Sequence, residues 1–102
     1  MPLIKAAGAG DIPLGTGLLA EMAGRRIALF NAGGAFYAID DTCTHQGCPL
    51  SRGTLQGTAV TCPCHGSVFD LRTGEVLHPP AVKPVTAYRV VAEGQDIKID
   101  VP

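Results

Sequence analysis

The sequence has no run approaching the roughly 18 consecutive apolar residues that cross a bilayer as a helix. Its opening, MPLIKAAGAGDIPLG, lacks the continuous apolar segment of a secretory leader. A soluble, cytoplasmic protein is expected, with a periplasmic setting left open in case a leader was removed. Charge of one sign is nowhere concentrated: eight Lys and Arg face nine Asp and Glu, for a net charge of -1, and no basic run is available to track a phosphate backbone. Nucleic acid is therefore not an expected partner. The chain also shows no internal repeat at a fixed period and no low-complexity segment. Thirteen Gly and eight Pro are spread along it, and 46% apolar residues is the composition of a chain that folds, which argues against disorder. Its 102 residues suffice for one modest core, so a single domain over residues 1–102 is expected.

Helix signals are equally scarce. The one stretch that could be helical, Gly17-Leu18-Leu19-Ala20-Glu21-Met22, is too short to hold a helix and reads as a strand. What is present instead is short β-rich runs punctuated by turn residues. Arg26-Ile27-Ala28-Leu29-Phe30 and Ala35-Phe36-Tyr37-Ala38-Ile39, separated by Asn31-Ala32-Gly33-Gly34, predict a hairpin. Thr86-Ala87-Tyr88-Arg89-Val90-Val91 and the alternating Ile97-Lys98-Ile99-Asp100-Val101, joined through Glu93-Gly94-Gln95-Asp96, predict a second, half-buried one.

Residues 41–81 differ from both flanks. They hold all four Cys and all three His among turn residues Pro49, Gly53, Gly57, Pro63, Gly66, Gly74, Pro79 and Pro80. This predicts a loop-rich insert on an antiparallel scaffold, a common way of mounting a site on a rigid frame. Two motifs stand out within it: Cys43-Thr44-His45-Gln46-Gly47-Cys48 and Cys62-Pro63-Cys64-His65-Gly66-Ser67. Each pairs a thiolate with an imidazole, so two facing loops can present two sulfurs and two nitrogens. Structural zinc uses the same atoms but usually with two Cys two to four apart, whereas each Cys here is followed by a His. Covalent haem attachment needs Cys-x-x-Cys-His, one residue more than Cys62-Pro63-Cys64-His65 offers. Two plain disulfides would suit a secreted miniprotein, yet this chain has core enough without them.

The pattern Cys-x-His, sixteen residues, Cys-x-x-His, with Cys48, Cys64, Gly66 and Ser67 beside it, resembles the motif of the Rieske iron–sulfur proteins. The resemblance covers Asp41 to Ala81 in detail and the flanking strands only in general character. It implies an all-β Rieske fold of stacked antiparallel sheets, with a loop-rich cluster-binding part over about residues 41–81. It implies one 2Fe-2S cluster, with Cys43 and Cys62 on a buried iron and His45 and His65 on an outer, solvent-facing iron. It also implies a Cys48–Cys64 disulfide joining the two loops, the alternative being two buried free thiols. Ser67 corresponds to a family serine whose hydroxyl donates to a bridging sulfide; the alternative is a serine capping its own turn. Phe69 stands where high-potential respiratory members carry a tyrosine donor. Leu77-His78-Pro79-Pro80-Ala81 resembles the proline-bearing loop over the cluster, with Pro79 and Pro80 stiffening it and His78 an ordinary loop histidine. The pair Asp40-Asp41 could steer a basic partner, although a solvated strand end is the plainer account.

Two thiolates and two neutral imidazoles leave an oxidised cluster of this kind neutral, whereas four thiolates would make it doubly anionic. Adding an electron to a neutral centre in a low-dielectric loop is easier, so histidine ligation raises the potential. The extra negative charge on reduction favours a proton on the outer imidazole nitrogens, so the potential is expected to fall with rising pH. The resemblance thus implies a one-electron carrier and no catalytic residues. The setting expected first is a monomeric ferredoxin between a flavin-dependent reductase and a terminal oxygenase that hydroxylates aromatic rings. The alternatives are a small subunit of a nitrite reductase or arsenite oxidase type, and a soluble relative of the respiratory quinol-oxidising subunit.

Overall fold

Strand β3 (Arg25–Ala32) organises the molecule because it is apolar on both faces. Successive side chains of a strand point to opposite sides, and here Ala28, Phe30 and Ala32 enter one core while Ile27 and Leu29 enter another. The computed structural model describes residues 3–101. Before β3 come β1 (Leu3–Gly8) and β2 (Gly17–Met22); after it come β4 (Ala35–Asp40), β5 (Thr54–Gln56), β6 (Ala59–Thr61), β7 (Val68–Asp70) and β8 (Val76–His78). The C-terminal segment adds β9 (Ala87–Tyr88), β10 (Val90–Glu93) and β11 (Asp96–Asp100). Two single-turn 3-10 helices, Ala9–Asp11 and Leu50–Arg52, complete the described residues.

The strands form three antiparallel sheets, in the orders β1-β11-β10, β2-β3-β4-β9 and β5-β6-β7-β8. The β2-β3-β4-β9 sheet lies in the middle. One face, which includes Tyr88 of β9, packs with Ile97 and Ile99 of β11 and Ala7 of β1. The other face packs with Val60, Phe69 and Leu71 of the insert, and the same core includes Cys43 and Cys62. The architecture is therefore the stacked all-β arrangement that the resemblance implies.

Gly17–Met22 is a strand, as its length demands, and it pairs with β3 in register from Gly17 opposite Phe30 to Met22 opposite Arg25. The expected first hairpin is β3 and β4, turning at Gly33-Gly34, where both residues have positive φ. The second needs correction. Thr86–Val91 is not one strand: β9 pairs with β4 and β10 pairs with β11, so the chain changes sheets at Arg89. Propensity saw a single β-rich run because both halves are β-rich; only tertiary pairing divides them. The insert is likewise more ordered than a set of loops, since it folds its own four-stranded sheet from three-residue strands.

The acidic pair Asp40-Asp41 is held by hydrogen bonds within the fold and is not a freely solvated strand end. Asp41 is 1% exposed and accepts the Ser51 N–H at 2.7 Å, while its own carbonyl accepts from Leu50 N–H at 2.6 Å. Asp40 accepts the Tyr88 hydroxyl at 2.6 Å and the Thr86 N–H at 3.2 Å. Asp41 roots the insert on the frame and Asp40 ties β4 to β9, which hydrogen bonding explains and charge patterning could not reveal.

Candidate metal centre

The two Cys–His motifs fold into loops with the same backbone plan. In the first, Cys43 N–H donates to Cys48 O at 2.9 Å and Gly47 N–H donates to Cys43 O at 2.8 Å. In the second, Cys62 N–H donates to Ser67 O at 2.7 Å and Gly66 N–H donates to Cys62 O at 3.3 Å. Each loop thus closes between a Cys and the residue five positions on, with a glycine at the fourth. Gly47 and Gly66 have φ of 77° and 80°, left-handed values that a side chain disfavours. The glycines that look like generic turn residues in the sequence are what let each loop fold back over its own cysteine.

This plan sorts the donors by depth. Cys43 and Cys62 are 2% and 3% exposed and lie within hydrogen-bond reach of one another. His45 and His65 are exposed, and their rings meet edge to face with centroids 5.1 Å apart. The structure therefore brings the predicted donors together in two pairs, the sulfurs inside and the imidazoles outside. Burial pushes the Cys62 thiol above its ordinary pKa, opposed by the Cys64 N–H that hydrogen-bonds its sulfur, while neighbouring Cys43 pushes it up further. The His65 N–H also points to that sulfur. A buried thiolate in such a place needs a positive partner, and the waiting N–H donors match one that is anionic in use.

Cys48 and Cys64 form a disulfide with Cα atoms 6.3 Å apart, which joins the two loops. The free thiols are Cys43 and Cys62 among the described residues. The sulfurs of Cys48, Cys62 and Cys64 lie within 4.8 Å of one another, but two of them are consumed by the bridge and cannot serve as thiolate donors. Two soft thiolates and two imidazoles at one place are what a histidine-bearing iron–sulfur cluster requires, so the donor set fits that group.

A third segment covers the loops. Ser67 is fully buried, and its Oγ accepts the Ala81 N–H at 3.0 Å. Thr44 Oγ1 donates to Lys83 O at 2.7 Å. Each cluster-side loop is therefore tied once to the segment that follows Pro79 and Pro80, which are exposed and joined by a cis peptide bond. His78 ends strand β8 and is not in a loop; it pairs across with Val68, and its Nδ1 lies 2.7 Å from Pro79 O. Phe69 is fully buried in β7 opposite Val60 and Val76. The tying roles of Thr44, on Lys83 O, and of Asp41, on Ser51 N–H, were not foreseen from the sequence, which offered Asp41 only as part of an acidic pair. Nothing in their spacing marks them, because each acts on a backbone atom distant in the chain.

Comparison with known proteins decides the family. Residues 3–89 match the family description Rieske 2Fe-2S domain. The chain is a member of the Rieske family. Over its full length, and 96% of the relative, it is 46% identical to the 3-phenylpropionate/cinnamic acid dioxygenase ferredoxin subunit of Escherichia coli strain K12. Its structure superposes with a TM-score of 0.92 on the ferredoxin of carbazole 1,9a-dioxygenase from Nocardioides aromaticivorans IC177, at 29% identity and 97% coverage of both chains. It also superposes, with a TM-score of 0.88 and 33% identity over 95% of this chain and 91% of the other, on a structure described as a complex of reduced oxygenase and oxidized ferredoxin in carbazole 1,9a-dioxygenase. This Rieske domain carries one 2Fe-2S cluster and acts as an electron carrier, not as a catalyst in its own right.

Proposed function

We propose that Cys43 and Cys62 hold one iron of the cluster through thiolates and that His45 and His65 hold the other through ring nitrogens. We further propose that the protein is the ferredoxin component of an aromatic-ring-hydroxylating system, receiving electrons from a flavin-dependent reductase and delivering them to a terminal oxygenase. The cluster supplies a one-electron couple; the protein supplies the rest. The observation that carries the reading is the depth order of the donors, two exposed imidazoles over two buried thiols, in a chain that matches dioxygenase ferredoxins end to end.

The residues around the donors have separable tasks. The Cys64 and His65 N–H groups bond the Cys62 sulfur and favour its charged form. The Cys48–Cys64 bridge holds the two loops at a fixed separation. The segment tied down through Ser67 and Thr44 keeps water from the buried side. His45 and His65 lie at the surface, where an electron can leave by a short path and a proton can exchange with solvent.

Rieske centres as a class span potentials of roughly -150 to +300 mV. With no hydroxyl at Phe69 but with Ser67 and the bridge present, the potential is expected below that of the respiratory members and above that of carriers lacking both. The test is voltammetry of the purified red-brown protein across pH, followed by NADH-dependent reduction through a flavin reductase and transfer to an oxygenase. A low potential that falls with pH, with catalytic turnover of the oxygenase, is expected. A potential well above zero would overturn the oxygenase setting. It would favour the quinol-chain reading, for which the bridge and buried Ser67 are the supporting observations. Zinc in place of iron, seen as a colourless protein, would overturn the ligand assignment's purpose altogether.

A further inference from the structure

The surface around His45 and His65 has an unusual charge balance. From Thr42 to Phe69 the only charged residue, histidines apart, is Arg52, and from Val76 to Tyr88 the only one is Lys83. All nine carboxylates lie outside these two stretches. The nearest in sequence are engaged elsewhere: Asp41 is buried against Ser51, Asp40 is bonded by Tyr88, and Asp70 is paired with Arg72. Glu75 stands before β8, at the end of that strand opposite His78. A chain with net charge -1 thus presents its histidine-bearing face without a free acid from either stretch, and with the backbone of Lys83 bonded to Thr44, the neighbour of His45.

The same face is apolar and rigidly held. Four large hydrophobic residues are exposed among those described, and two of them flank the Pro79-Pro80 pair: Leu77 at 55%, in β8, and Val82 at 84%, in the segment that covers the loops. Val82 sits between two anchors. Ala81 N–H is bonded to Ser67 of the second loop, and Lys83 O is bonded to Thr44 of the first. Exposed Pro79, Pro80 and Pro84 stiffen the stretch on both sides. An exposed valine held by its neighbours' backbone costs little further entropy when it is covered, which is what an interface anchor needs.

We propose that this face docks an oxygenase whose own docking patch is apolar at its centre, opposite Val82 and Leu77, and acidic at the rim, opposite Lys83. The inference rests on the reading of the protein as an oxygenase ferredoxin and adds to it the chemistry of the partner. It is the opposite of the basic partner that Asp40-Asp41 could have steered, since hydrogen bonds within the fold engage both carboxylates. An apolar centre supplies affinity, and a rim charge of this kind governs mainly the association rate, which salt screens within about a Debye length.

The test is stopped-flow reduction of the oxygenase component of the Escherichia coli 3-phenylpropionate system by the chemically reduced protein. The variants are Val82→Asp and Lys83→Glu, with Leu14→Asp as an exposed apolar control elsewhere; visible circular dichroism checks that each carries the cluster. Val82→Asp and Lys83→Glu should each lower the second-order rate constant about ten-fold at low salt. The Lys83→Glu loss should shrink as salt rises, the Val82→Asp loss should persist, and Leu14→Asp should do neither. In parallel, oxidation by anionic ferricyanide should slow with added salt and with Lys83→Glu, while oxidation by cationic hexaammineruthenium(III) should change in the opposite sense. Transfer by the wild type that neither variant slows, or that Lys83→Glu accelerates, overturns the docking proposal alone. A wild type that exchanges normally with both small ions yet never reduces the oxygenase overturns the ferredoxin reading and the partner with it.

Discussion

The hydroxyl of Ser67 has two bonds to make and sits where no solvent can help. Its oxygen accepts the Ala81 N–H, and Ala81 is itself only 3% exposed, so the pair is a buried tie between the second loop and the covering segment. Its proton remains free to donate among the described residues, and the residue stands in the loop whose closure, Cys62 N–H to Ser67 O, fixes a buried sulfur. The hydroxyl therefore does not cap its own turn, since Ala81 lies fourteen residues on, and the donation to a sulfide that the family resemblance implies would use the remaining proton. Ser67→Ala should therefore show two losses. An orphaned buried N–H costs about 1–3 kcal/mol of stability, read by denaturant unfolding. Loss of a donor to sulfur lowers the reduction potential, read by voltammetry, because such donors favour the more negative reduced state. A variant that is destabilised at an unchanged potential would leave Ser67 as a structural tie and nothing more.

At the scale of elements, the covering segment is held as firmly at its far end as at Ser67. Gly74, with φ of 81°, accepts the Val85 N–H at 2.9 Å and donates its own N–H to Asp70 O at 2.7 Å. A Cβ at this position would collide with the Val85 carbonyl oxygen. Gly74→Ala adds left-handed strain to that collision and should destabilise the protein by about 2 kcal/mol or more, with a lowered urea midpoint. Unchanged stability would mean that the β7–β8 turn and the covering segment shift freely, against the role given to both anchors. The sequence made Gly74 visible only as one turn residue among many. The site itself was far more legible, because Cys43, His45, Cys62 and His65 declare their chemistry by type and spacing. The strands of the frame were legible where alternation was long, as in Ile97 to Val101. The strands of the insert were not, since three residues such as Thr54–Gln56 carry too little period to register. The change of sheet at Arg89 was hidden for another reason: pairing partners are set by tertiary packing, and β9 and β10 have similar local composition.

On the whole-molecule scale, the two cores differ in their dependence on the metal centre. The core between the β1-β11-β10 sheet and β3 contains none of the proposed ligands and is built from Ile12, Ile27, Leu29, Ile97, Ile99 and their neighbours. The core on the opposite face of β3 includes Cys43 and Cys62 directly, packed with Leu50, Val60, Phe69 and Leu71. Removing the iron leaves two buried thiols whose loops are still joined by the Cys48–Cys64 bridge, which constrains the unfolded chain by about 3 kcal/mol for a closure of this length. The bridge cannot replace the ligand bonds that hold the loops to the centre. Apo protein prepared by chelation should therefore open locally and not globally. Amide hydrogen exchange should accelerate across β5 to β8 and both Cys–His loops, while β3, β10 and β11 keep their protection. Reducing the bridge in the apo protein should widen the gap between the two regions. Uniform acceleration over both cores would show instead that they unfold as one unit, and that the shared strand β3 transmits loss of the centre to the entire frame.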